Sequence, residues 1–192
     1  MNESPHKIEF QFQSTRENIP GILRNCLEHI RQQTQFEPID EEVLSKIKWV
    51  ITEMLTNAVK HSGVDQCMLT IHLDTGKLVL EKEDQGEPLT LVETPGGNKV
   101  IWPLAQLNGN VNFQIYHNGE ESLRVRTNNA KTAFFFTEQL EGNHAPELFF
   151  DTSEHFGLLI MVKASEEFTY EYDPESRTNR FRTTFNLKNP LT

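Results

Sequence analysis

The run Asp40-Glu-Glu-Val-Leu-Ser-Lys-Ile-Lys-Trp-Val-Ile-Thr-Glu-Met-Leu-Thr-Asn-Ala-Val-Lys-His-Ser-Gly63 decides the fold, because its apolar residues recur at helical spacing along its whole length. Val43, Leu44, Ile47, Ile51, Met54, Leu55 and Ala58 fall three and four residues apart and so share one stripe of a helix. Asp40 is placed as N-cap, since a short carboxylate can accept from the free amides of a first turn, and Gly63 supplies the stop. A second row interrupts this pattern. Glu53, Asn57 and His61 stand at successive four-residue intervals and project from one face, with Lys60 beside them. Spacing alone favours a solvated stripe; a site needs corroboration further along the chain.

Upstream, Lys7 to Gln13 alternates Ile8, Phe10 and Phe12 against Glu9 and Gln11, the pattern of a half-buried strand. A helix follows it. Ser14-Thr-Arg-Glu17 has capping-box form, yet Pro20 would then lie inside the helix; Asn18 as N-cap puts Pro20 in the first turn and is preferred. Leu23, Cys26, Leu27 and Ile30 mark its buried side. Downstream, Gln66 to Leu73 and Lys77 to Glu83 read as two strands of a hairpin turning at Asp74-Thr-Gly76. The second strand ends at Asp84-Gln85-Gly86-Glu87-Pro88, an acidic side chain followed by a glycine that permits close backbone approach. By itself such a sequence is a turn.

The 192 residues carry a formal charge of −10 and are 36% hydrophobic, enough for one folded domain with additions. The longest uninterrupted apolar run, Leu158 to Val162, is far short of a membrane span. Met1 to Lys7 lacks the basic and apolar stretches of a secretory signal, so the expected location is the cytoplasm. Cys26 and Cys67 have no metal or redox spacing, and the seven histidines offer no pair at ligand spacing on a common element. Acidity without a basic cluster argues against nucleic acid as a partner. No Gly-x-Ser-x-Gly elbow and no Gly-x-x-x-x-Gly-Lys-Ser/Thr loop occurs.

The order strand, helix, helix with Glu53-Met-Leu-Thr-Asn57-Ala-Val-Lys60-His61, hairpin, then Asp84-Gln85-Gly86-Glu87-Pro88 resembles the ATP-binding domain of the anti-sigma-factor serine kinases, members of the GHKL superfamily. His155-Phe-Gly157-Leu-Leu-Ile-Met-Val-Lys163 is similar to that family's last glycine box and following helix, and Phe168 to Asp173 with Asn179 to Thr184 look like its closing strands. The resemblance covers residues 7 to 89 and 154 to 188. It implies a histidine kinase-like (Bergerat) fold, an α/β sandwich with a mixed, largely antiparallel sheet and helices on one face. It also implies Mg²⁺ and ATP as cofactors. Asn57 would hold Mg²⁺ through its amide oxygen, Glu53 would be the catalytic base, and Asp84 would accept from the adenine amino group, with Gly86 giving the base close approach. Lys60 and His61 would add positive charge near the phosphates, and Gly157 would free backbone amides for them. A threonine of the last strand would support the adenine contact; Thr183 and Thr184 point to opposite faces, with Thr184 slightly preferred. Implied partners are a regulatory protein such as a sigma factor or an anti-sigma antagonist, and a second copy in a homodimer.

Two departures stand out. His155 occupies the usual place of a first glycine, and 70 residues separate Gly86 from Gly157, far more than in the kinases resembled. Within residues 90 to 151, Val111 to His117, Ser122 to Thr127 and Ala133 to Thr137 alternate as strands. Turn signals flank them at Pro95-Gly-Gly-Asn98, Asn108-Gly109 and Asn118-Gly119. Trp102, Phe113, Phe134, Phe135, Phe136, Phe149 and Phe150 demand a surface to bury against. The expectation is one domain over 1 to 192 with an ordered β-rich insertion at 90 to 151 in place of the ATP lid, packed over or beside the cleft or forming a partner-binding face. The leading functional expectation is an ATP-binding regulator that phosphorylates a partner protein; the alternative is a catalytically inactive protein-interaction module of the same fold.

Overall fold

The computed structural model describes residues 6–35, 38–74, 76–105, 111–140 and 152–187, without the side chains of 152–155. Local pattern accounts for the first elements. β1 (His6–Gln13) pairs antiparallel with β2 (Gln66–Asp74), and β2 pairs with β3 (Lys77–Asp84) across a turn at Gly76, whose φ of 75° suits glycine. Between β1 and β2 run α1 (Ile19–Gln33) and α2 (Glu41–His61). Asp40 caps α2 by accepting from the Glu42 amide at 2.7 Å, and Gly63 follows its end at φ 64°. Asn18 is the N-cap of α1 by position, with Pro20 in the first turn, but its side chain makes no capping bond. A short 3₁₀ turn, Arg16–Asn18, precedes it.

α3 (Thr152–Ala164) packs on α2 and leads into β9 (Glu167–Asp173) and β10 (Thr178–Asn186). β10 lies between β3 and β9. The segment expected as an insertion forms β4 (Thr90–Val92), β5 (Lys99–Ile101), β6 (Val111–His117), β7 (Glu121–Thr127) and β8 (Thr132–Gln139). β4 and β5 make a small separate sheet; β8 pairs with β9, so the large sheet runs β1-β2-β3-β10-β9-β8-β7-β6. The result is an α+β protein with an eight-stranded sheet and three helices among the described residues.

One expectation needs correcting: the large sheet is not mixed, for every strand pair in it is antiparallel. β2–β3, β6–β7, β7–β8 and β9–β10 are consecutive strands, β1 returns to β2 by way of α1 and α2, α3 stands between β8 and β9, and β10 pairs antiparallel with β3, so no pair needs a parallel crossover. Phe149, Phe150 and the Asn108-Gly109 turn lie outside the described residues. No described helix is long and apolar enough to cross a membrane.

The core spreads along the sheet. Leu69, Ile71, Leu78 and Leu80 meet Ile47, Ile51 and Leu55 of α2, while Phe113, Val125, Phe135 and Phe168 continue the same buried layer into β6–β9. Trp102, fully buried, couples the two halves. Its ring meets Tyr170 edge-on at 6.2 Å, its indole N–H donates to the Thr132 carbonyl at 3.2 Å, and its amide donates to the Leu89 carbonyl at 3.0 Å. The opposite face of β3 and β10 is charged, with Arg180 bridging Glu81, Glu83 and Glu171.

Candidate functional site

A cavity of about 330 Å³ opens where the C-terminal half of α2 meets the ends of β3 and β10. Helix periodicity puts Met54, Asn57 and His61 on its wall, because residues three and four apart share a face. Strand alternation brings Lys82 and Asp84 from β3 and Asn179 and Phe181 from β10, each pair two residues apart and so on one side of the sheet. Residues 87–91 form the rim, and Leu158 and Met161 of α3 close the far side. The enclosure is chiefly apolar with a few convergent polar groups, the usual character of a small-molecule site.

Its polar floor is built from Asp84, whose side chain is 3% exposed. One carboxylate oxygen, Oδ1, accepts from the Gly86 amide at 2.9 Å and from the Asn179 side-chain amide at 2.9 Å. The other, Oδ2, accepts from the Lys82 ammonium, itself buried and 4.6 Å from the Phe181 ring centroid. Asn179 also donates to the Gly86 and Glu87 carbonyls, and it accepts from the Tyr170 hydroxyl at 2.6 Å. That hydroxyl accepts in turn from the Leu89 amide at 3.0 Å. Burial pushes the Tyr170 phenol well above its ordinary range, so it stays a donor to Asn179. Four backbone groups of the turn out of β3, the Gly86 amide and carbonyl, the Glu87 carbonyl and the Leu89 amide, are therefore tied to buried side chains, which orders the cavity floor.

Of the residues singled out from the sequence, Asn57, His61 and Asp84 line the cavity. Lys60 is exposed and lies off its wall. Gly86 is required by a contact within the fold: a Cβ there would stand 1.7 Å from the Ser62 carbonyl oxygen, so its close neighbour is the end of α2. Gly157 is not at a helix N-terminus but in the second turn of α3, and a Cβ on it would lie 2.4 Å from Glu53 Oε2. The Glu53 carboxylate thus sits against α3 and off the cavity wall. Burial raises its affinity for a proton, with the Lys60 charge opposing. His155 lies two residues before Gly157 in the same helix.

Thr184 faces away from the cavity, since Asn179 and Phe181 alternate with it along β10. Thr183 shares their side, is fully buried, and its hydroxyl has no partner among the described residues. Lys82, Asn179 and Tyr170 are the functional candidates that sequence reasoning passed over. A charged residue at an inward position two before Asp84 was the available signal, because alternation puts both on the buried face. Among the described residues no cluster of His, Cys, Asp and Glu could hold a metal by itself. A hard cation here would need ligand oxygens beside the single amide oxygen of Asn57. No family model matches the chain, and no curated protein does.

Proposed function

We propose that the protein is a regulator of the GHKL type that takes Mg²⁺-ATP into this cavity and acts on a partner protein, as the resemblance to anti-sigma-factor serine kinases implies. The observation that supports it is the convergence on one cavity of Asn57 from α2 and Asp84 from the end of β3, between apolar walls from Met54, Leu158, Met161 and Phe181. Those walls suit a planar base, and Asp84 Oδ2 keeps room for one further donor such as an amino group. Asn57 would supply one oxygen to Mg²⁺, with phosphate oxygens completing the shell. On this reading the α+β fold is of the Bergerat type, with β6–β8 widening the sheet.

The second reading, a partner-binding module without phosphoryl transfer, is favoured by a specific contact. Glu53, the expected base, packs on Gly157 and not on the cavity. A base must come within hydrogen-bond reach of the hydroxyl it deprotonates.

Calorimetric titration with Mg²⁺-ATP tests the nucleotide reading. Saturable binding is expected, weakened in Asn57→Ala when Mg²⁺ is present and little changed between the two proteins when it is chelated. Lack of saturation at millimolar nucleotide rejects it. Release or transfer of the terminal phosphate, abolished by Glu53→Gln, separates the kinase from the silent module.

A further inference from the structure

The Lys82 ammonium is a buried cation with unused capacity. Its side chain is 5% exposed, it lines the cavity, and Asp84 is its one hydrogen-bond acceptor among the described residues. An ammonium has three N–H donors, so two are left facing the Phe181 ring and the cavity. Unsatisfied buried donors of this kind are costly, and they are met where a ligand brings the missing acceptor. Asp84 is nearly saturated by contrast: Oδ1 already accepts twice, leaving one lone-pair position on Oδ2. The floor therefore presents one acceptor and one donor side by side, held in register by their own ion pair.

We propose that Lys82 reads the ligand's base: its ammonium donates to a ring nitrogen adjacent to the amino group accepted by Asp84, so that the pair recognises the donor–acceptor edge of a 6-aminopurine. This rests on the nucleotide reading of the cavity and assigns Lys82 a role in specificity within it. The ion pair stays intact when such a base enters, because each member uses capacity the other does not fill. Phe181 lies beside the same ammonium and beside Tyr170, with the Phe181 and Tyr170 ring centroids 4.9 Å apart, which holds this part of the cavity lining in place. A ligand whose ring nitrogen is replaced by C–H leaves the Lys82 donors unmet and is disfavoured.

The test compares Mg²⁺-ATP with the triphosphate of 1-deazaadenosine, by calorimetry on the whole chain. Wild type is expected to bind the deaza compound about ten- to hundred-fold more weakly, the range of one hydrogen bond to a charged donor. In Lys82→Gln and Lys82→Met, each first checked for a cooperative melt, that gap is expected to shrink to about two-fold, since the discriminating charged donor is gone. Equal binding of the two nucleotides by wild type overturns the Lys82 role and leaves the nucleotide reading standing. A gap that persists in both variants does the same, by showing that another group reads the ring nitrogen. Binding of neither compound overturns the nucleotide reading, and the Lys82 role with it. Where both variants fail to fold, equal binding of the two nucleotides by wild type still overturns the Lys82 role.

Discussion

Two glycines that look alike in the sequence face different obstacles. A Cβ on Gly86 would meet a backbone carbonyl, Ser62 O, at 1.7 Å, and the β3 turn cannot retreat without breaking the Asp84 and Asn179 bonds. A Cβ on Gly157 would meet the far end of Glu53 at 2.4 Å, and a flexible carboxylate can swing aside. Gly86→Ala is therefore expected to destabilise by about 2–3 kcal/mol, at the upper end of overpacking costs. Gly157→Ala should stay within about 1 kcal/mol of wild type, since alanine's helix propensity offsets the displacement. Urea denaturation of both variants checks the contrast, and equal losses would show that the Glu53 contact is as rigid as backbone. The expectation was that Gly86 admits a flat base and that Gly157 frees backbone amides for phosphates; the neighbours found beside them are Ser62 and Glu53. Asp-x-Gly names a turn, but the atom that comes close belongs to Ser62, which the fold brings in from the preceding helix. The same limit hid Lys82: its inward position was legible from alternation, whereas its partner is obvious only once the strand end is seen to be buried.

At the scale of elements, helices and strands were read well wherever a single period governs them. The α2 stripe and its Asp40 cap need only neighbours within a few residues, and the structure places α2 at Glu41–His61. α3 was less legible, because it is apolar on most sides and begins before the glycine expected to mark its start. Its contact with α2 carries a titratable group, Glu53, whose carboxyl is raised by burial despite the opposing Lys60 charge. The folded chain then holds a proton more tightly than the unfolded chain. Between the ordinary carboxylate value and the raised one, the native state is the more protonated, so this group's contribution to stability falls as pH rises through that window. Above the window the loss is complete and constant. Glu53→Gln cannot ionise, so it is expected to melt higher than wild type at about pH 7, with the difference shrinking below about pH 4. Carboxylates such as Glu121 and Asp173, lowered by Lys163 and by Ser176, respond in the opposite sense, but they are common to both proteins and cancel in the difference. Melting curves of the pair across that range measure it; a pH-independent difference would remove the burial account of Glu53.

For the whole molecule, the residues beyond one small domain were legible as strands and turns but not in their destination. Alternation identifies β6, β7 and β8 one at a time, whereas the pairing of Thr132–Phe135 with Phe168–Glu171 joins segments remote in sequence that no local pattern links. That pairing makes the added strands a continuation of the sheet, and Trp102 binds them to the cavity floor through Leu89, Thr132 and Tyr170. Charge does not draw the two parts together, for six of the ten net negative charges fall in residues 1–89 and three in 90–151, so the union rests on strand pairing and burial. β4–β8 should consequently unfold together with α2 and β1–β3, and not as an appendage. The chain has two tryptophans, Trp49 on an exposed helix position and Trp102 in the core, so Trp49→Phe leaves Trp102 as the sole indole reporter. Its fluorescence in urea is expected to change at the same midpoint as the far-ultraviolet circular dichroism, the mark of a two-state transition. A Trp102 transition at clearly lower urea would mean that β4–β8 come away first. The cavity floor would then lose Leu89 and its tie to Tyr170 before the helical layer melts, and ligand binding would fail at the lower midpoint.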